Sequence, residues 1–300
     1  MLNLVKRFLA GPLFVSSRLA LYAWLSLASQ IVIVATGGVV RLTASGLGCP
    51  TWPKCTAESL VTVPEQGIHG VIEFTNRMLT FVLLVIAALT LVSVLRAAKG
   101  KELRLRAPAW LLILGIVAQA VIGGVTVRTG LNPWIVGVHY LVSAFMIVWA
   151  TVLVWRVLDV SSMAVPAAVY GVTPAVTVLG FVAVIFGVVV TGAGPNSGDP
   201  KSARNGFDLE IWQHYHSYPA YLMLALVLVT LLWQRRSKLG LADAGVRATL
   251  LLLLVSIAQA VVGVIQARSG LPVGLVGVHV ALSACLVSLL TFNHLANRAR

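Results

Sequence analysis

The stretch AQAVIGGVTVRTGLNPWIVGVHYLVSA, residues 118–144, returns 140 positions later as AQAVVGVIQARSGLPVGLVGVHVALSA, residues 258–284. Fourteen of the 27 positions are identical and no gap is needed to align them. Each copy holds two apolar segments joined by a short glycine-containing turn. Each also carries one histidine, His139 or His279, inside the second segment. Apolar segments of this kind read as membrane helices. An ionisable side chain inside such a helix is energetically unfavourable and tends to mark function.

Outward from the repeat, the composition has the same character. Of the 300 residues, 59% are hydrophobic and 10% charged, whereas a soluble domain carries about 25% charged residues. Eight apolar segments approach the roughly 20 residues needed to span a bilayer. They fall at 18–40, 70–95, 109–128, 134–156, 168–192, 212–233, 248–268 and 273–295. The repeat pairs the third and fourth segments with the seventh and eighth, and the same offset lays the second on the sixth. VIVATGGVVRLTASG resembles VAVIFGVVVTGAGPNSG at an offset of about 154, which pairs the first with the fifth. The expected fold is an all-α integral membrane protein of eight transmembrane helices. It is organised as two tandem four-helix bundles, residues 1–157 and 158–300. Four helices per unit is an even number, so both units share one orientation, related by a pseudo-two-fold axis along the membrane normal.

The net charge of +13 invites a nucleic-acid reading, but its distribution argues against one. Fifteen of the 22 Lys and Arg fall on one side of the segment pattern, including Lys6, Arg7, Lys99, Lys101 and Arg300; seven fall on the other. This bias orients a multi-pass protein of the cell membrane with both termini cytoplasmic. The first apolar segment is long and lacks a small-residue cleavage site, so no cleavable signal is read there. Cys285 sits in an apolar segment and reads as a small buried hydrophobe. Cys49 and Cys55 share one outer loop, where an oxidising compartment permits a disulfide; two unpaired thiols are the alternative. Trp52, Trp134 and Trp212 read as an aromatic belt.

Among the six histidines, His139 and His279 lie about one and a half turns into their helices, toward the outer side. The 140-residue offset sets Asn76 against His216, and Glu73 against Gln213. His216 and His279 therefore lie on different helices of one unit at similar depth. Two imidazoles facing each other across a helix bundle are a common way to hold a haem iron; hydrogen-bonded core histidines are the plainer alternative. Zinc would want further Cys or carboxylate ligands, and none obviously joins them. His214, two residues from His216, faces away from it. His294 reads as an interfacial residue.

His69, Glu73 and Asn76 are spaced i, i+4, i+7 and share one helical face. Glu73 reads either as a carboxylate beside a group held by His139 or as the partner of Arg77 in an i, i+4 pair at a helix start. Arg41, Arg128 and Arg268 end the first, third and seventh helices on the outer side. Their forked donors suit haem propionates; interfacial anchoring is the alternative. The second unit has the ligands of an electron-carrying haem. The first has one firm ligand and a carboxylate.

The run GGVVRLTASGLGCPTWPKC, the EFTNR segment and the two GVH segments resemble the haem A synthase family over nearly the whole chain. The resemblance implies two four-helix bundles and oxidation of the C8 methyl of haem O to the formyl group of haem A. Two successive hydroxylations precede loss of water from a gem-diol. It implies a haem b held by His216 and His279, and a substrate haem in the N-terminal half. There His139 matches a ligand, Glu73 matches the essential carboxylate, and Cys49 and Cys55 match the disulfide of the first outer loop. A haem O synthase and cytochrome oxidase assembly factors are the implied partners, and the electron acceptor is unidentified. The chain departs from the family at two places. Many members carry EWxHR where this chain has Glu73-Phe74-Thr75-Asn76-Arg77, so the second N-terminal ligand is missing. Either His139 acts alone or His69 substitutes from two turns away, and the first is favoured. Loop 193–211 also lacks a second cysteine pair. A membrane cytochrome b that only carries electrons explains the histidine pair equally well, but not the Asn76 and Glu73 replacements. A duplicated transporter would want broken helices at the midplane.

Overall fold

The computed structural model describes residues 18–96, 102–160 and 165–298; Lys6, Arg7, Lys99, Lys101 and Arg300 of the charge pattern lie outside them. Eight helices long and apolar enough to cross a membrane make up the described chain. They are α1 (Leu19–Leu42), α2 (Gly67–Leu95), α3 (Glu102–Arg128), α4 (Pro133–Leu158), α5 (Ala167–Ala193), α6 (Leu209–Arg236), α7 (Ala244–Arg268) and α8 (Val273–Asn297). No strand occurs among the described residues. The fold class expected from the apolar segments, an all-α protein with eight spans, is the one observed.

Helix ends differ from the apolar segments for local reasons. α3 begins seven residues before its apolar segment, because Glu102 to Arg106 are good helix formers that hydropathy alone overlooks. This extension places Pro108 inside the helix. Proline has no N–H to offer the carbonyl four residues earlier. That carbonyl belongs to Arg104, and Arg156 of α4 donates its Nη1 to it at 2.5 Å. α4 starts on Pro133 with the Asn132 side chain accepting the Trp134 N–H. α6 and α7 start on Asp208 and Asp243, whose carboxylates accept first-turn N–H groups. Each of these caps satisfies donors a helix leaves orphaned.

Helices α1 to α4 pack in a closed sequence of neighbours, α1 on α2, α2 on α3, α3 on α4 and α4 on α1. Helices α5 to α8 do the same. Between the two sets, α4 packs on α8, α1 on α8 and α4 on α5. One apolar core gathers Leu27, Leu91, Leu112 and Leu153 from α1 to α4. Another gathers Val176, Met223, Leu252 and Leu290 from α5 to α8. The α4–α8 contact also carries polar links, Thr151 to Ser288 at 3.0 Å and Tyr140 to Ser283 at 2.6 Å. Inside a bilayer such groups have no water to turn to and must pair with each other.

Small residues set the closest approaches. A Cβ at Gly180 of α5 would sit 2.5 Å from Leu290 Cδ1 and 3.1 Å from Met223 Sδ. Gly180→Val should therefore overpack the second core and lower stability by about 1–3 kcal/mol, read as a lower thermal midpoint in detergent.

Candidate functional site

A cavity of about 1300 Å³ runs through the helix assembly beneath the loops that follow α1 and α5. Pockets for one small ligand measure about 300–1,000 Å³, so this one suits a larger or a second occupant. Its wall includes Glu73, Asn76 and His139 from the first half, and His216, Arg268 and His279 from the second. It is roofed by the outer loops, through Trp52, Pro53, Leu60, Ser197 and Gly198.

The roof is built from the first outer loop. Cys49 and Cys55 form a disulfide that closes it, with Cα atoms 4.4 Å apart. Gln66, at the foot of α2, donates Nε2 to the Gly48 carbonyl at 2.6 Å. Gly48 lies against the His69 carbonyl so closely that no Cβ fits. Trp52 is laid over Gly124 of α3 with the same consequence. The loop thus rests on α2 and α3 at two glycines.

Below it, Glu73 is 5% exposed. Its Oε1 pairs with Arg77 Nη2 at 2.5 Å and Nε at 3.1 Å. Its Oε2 accepts the Cys49 N–H at 2.6 Å. Arg77 goes on to donate to the carbonyls of Cys49, Thr51 and Lys54 at 2.9, 3.0 and 3.2 Å. Glu73 therefore forms the i, i+4 pair with Arg77 and also lines the cavity. His69 does not line the cavity: it is exposed and its Nδ1 lies 2.9 Å from the Ser45 hydroxyl.

His216 and His279 are brought together, with ring centroids 6.1 Å apart and planes at 78°. His216 Nδ1 is 2.8 Å from the Ala183 carbonyl of α5, so Nδ1 carries the proton and Nε2 is the nitrogen left with a lone pair. A metal–imidazole bond is about 2 Å, and two imidazoles on one metal have centroids about 6 Å apart, the spacing seen. Among the described residues no group of three or more His, Cys, Asp or Glu could hold a metal ion. A macrocycle that brings its own equatorial ligands fits this pair. His139 also lines the cavity, and its Nδ1 is buried without a hydrogen-bond partner, an unsatisfied group of the kind a ligand would engage. Each of the three imidazoles packs on a glycine: a Cβ at Gly123, Gly187 or Gly263 would come within 3.0–3.4 Å of Cε1 of His139, His216 or His279.

The three outer arginines part ways. Arg41 lines the cavity, and its Nε and Nη2 donate to the Asn196 and Thr191 carbonyls at 2.5 and 2.7 Å. Arg268 lines the cavity as an exposed residue. Arg128 is turned onto Trp52, its guanidinium 5.9 Å from the ring and Nη2 3.3 Å from the carbonyl. His214 stacks on Tyr218, and His294 Nδ1 lies 3.1 Å from Thr177 Oγ1.

Sequence reasoning missed Gln119 and Gln259. Both line the cavity and bury an Oε1 without a partner, and Gln119 donates to the His139 carbonyl at 3.0 Å and to Ser143. The signal was available, since both sit in the identical AQA of the repeat. The Tyr140–Ser283 and Thr36–Asn76 contacts had no such signal, because neither joins two positions that the repeat aligns. Removing Arg77 should strip Glu73 of its counter-charge and the loop of three carbonyl partners. Arg77→Met is expected to destabilise the protein by about 3–5 kcal/mol, with part recovered in the Glu73→Gln/Arg77→Met double variant. Chemical denaturation of the three proteins measures both effects.

Known proteins resemble the chain over part or most of its length. The chain is 25% identical over 233 residues to a protein named heme A synthase from Halalkalibacterium halodurans, covering 73% of this chain and 76% of that one. It is 28% identical over 129 residues to one of the same name from Alkalihalophilus pseudofirmus, covering 42% of each. A protein named protoheme IX farnesyltransferase from Thermus thermophilus is 34% identical over 116 residues, which is 38% of this chain and 18% of that one. The model of the cytochrome oxidase assembly protein family (COX15-CtaA) matches residues 20–291, and the chain belongs to that family.

Proposed function

We propose that this protein is a haem A synthase, oxidising the C8 methyl of haem O to a formyl group within the membrane. The observation that carries the reading is the unequal furnishing of two repeated halves around one cavity. The second half opposes two imidazoles, His216 and His279, at 6.1 Å. The first sets His139 and a buried carboxylate, Glu73, in the same wall, with Asn76 where the repeat would have an imidazole. The relatives named heme A synthase support the substrate class, and the one named for a farnesyltransferase supports a link to prenylated haem.

In this reading residues 1–157 form a four-helix bundle that takes haem O, and residues 158–300 form a second that holds haem b. A haem b between His216 and His279 supplies one-electron transfer when bound. His139 binds the substrate iron. Arg41 and Arg268 face propionates at the cavity wall, whereas Arg128 supports the roof through Trp52. Converting a methyl to a formyl with an oxygen atom from water releases four protons and four electrons (–CH3 + H2O → –CHO + 4 H+ + 4 e−), the electrons passing to an external acceptor, so a nearby group must take up a proton or stabilise developing positive charge. Glu73 is that group, and the Cys49 N–H and Arg77 fix its two oxygens. The disulfide loop excludes water above it. In this reading both termini face the cytoplasm and the cavity faces outward, an orientation the charge bias supports. The protein follows a haem O synthase and feeds cytochrome oxidase assembly.

Glu73→Gln should retain haem O and make no haem A, assayed by extracting and separating the haems; full conversion would exclude the role. His216→Ala and His279→Ala should each abolish a low-spin haem b spectrum. Wild-type protein yielding haem b alone would instead favour an electron carrier.

A further inference from the structure

Position 76 is where the two halves differ in a way the fold can be asked about directly. In the second half its counterpart His216 stands on Gly187 of α5 and projects toward His279. In the first half Asn76 lines the same cavity but reaches sideways. Its Oδ1 accepts the hydroxyl of Thr36, on α1, at 2.8 Å. An asparagine amide has one accepting end and one donating end. With Oδ1 held by Thr36, the two N–H donors of Nδ2 are the end left for the cavity. Next to Thr36, Gly37 also lines the cavity, and a Cβ placed on it would meet nothing within 4 Å. The first half therefore has open space and a fixed donor where the second has an imidazole.

An amide is a poor iron ligand, so a haem held by His139 keeps its opposite position for something else. We propose that Thr36 and Asn76 form a binding site for a small anionic ligand on the haem face opposite His139, with Asn76 Nδ2 as the donor. The chemical class is an anion of one to three heavy atoms, such as hydroxide or azide. Hydrogen bonds to charged acceptors are stronger than neutral ones, so the donor should govern affinity. Thr36 acts through Asn76 as a positioning residue, because without its hydroxyl the amide is free to turn. The inference rests on His139 binding the substrate haem, and the test separates the two.

The test titrates the purified ferric haem-loaded protein with azide, followed by absorption and electron paramagnetic resonance. Azide should bind one haem per chain and leave the low-spin signal assigned to His216 and His279 unchanged. That signal also reports that each variant is folded. Asn76→Leu should weaken azide roughly 10- to 100-fold, and Thr36→Val should weaken it in the same direction by less. Asn76→His should convert the azide-binding haem to a low-spin form and abolish azide binding. Equal azide affinity in wild type and Asn76→Leu would overturn the site, as would a wild-type protein whose haems all resist azide. His139→Ala separates the two levels. If it removes the azide-binding haem while Asn76→Leu changes nothing, only this inference fails. If His139→Ala leaves that haem in place, the functional reading fails with it.

Discussion

Arg77 is the residue on which the outer part of the first half depends. A carboxylate at the depth of Glu73 is intolerable without a counter-charge, and Arg77 supplies it at 2.5 Å. The same guanidinium spends its remaining donors on three carbonyls of the disulfide loop. One side chain thus neutralises the buried acid and fastens the roof over it. The Cys49 N–H closes the circuit by reaching the other carboxylate oxygen. Position and charge of Glu73 are set together.

The second half solves a different problem with less polarity. Its imidazole pair is held by packing, each ring against a glycine, and by the Ala183 carbonyl on His216. Neutral groups need no counter-charge, so α6 carries Gln213 where α2 carries Glu73. The two halves thus line one cavity differently, the first with a carboxylate paired to Arg77 and the second with two facing imidazoles.

Much of this was readable in the chain. The eight spans followed from apolar length, and the His139–His279 and Asn76–His216 correspondences followed from the repeat. The choice of His216 over His214 followed from the same repeat offset, although His214 lines the cavity as well. The extension of α3 was not readable, because hydropathy stops where Glu102 to Arg106 begin and a helix does not. Nor was the fate of the arginines. Arg41, Arg128 and Arg268 look alike in sequence, yet which carbonyl or ring each meets depends on loops folded from distant parts of the chain. Arg41 finds Thr191 and Asn196, about 150 residues away. Long-range hydrogen bonds leave no periodic trace.

That last contact bears on the history of the duplication. Two identical units meeting about a two-fold axis would make every contact twice, each side giving what it receives. Arg41 gives one hydrogen bond to the Thr191 carbonyl at the end of α5 and one to the Asn196 carbonyl in the loop that follows, and Gly46 adds a third through its N–H to the Gly198 carbonyl. α5 ends in Thr191, Gly192 and Ala193 and has no arginine to return the favour. The contact is one-sided, so neither half can stand in for the other.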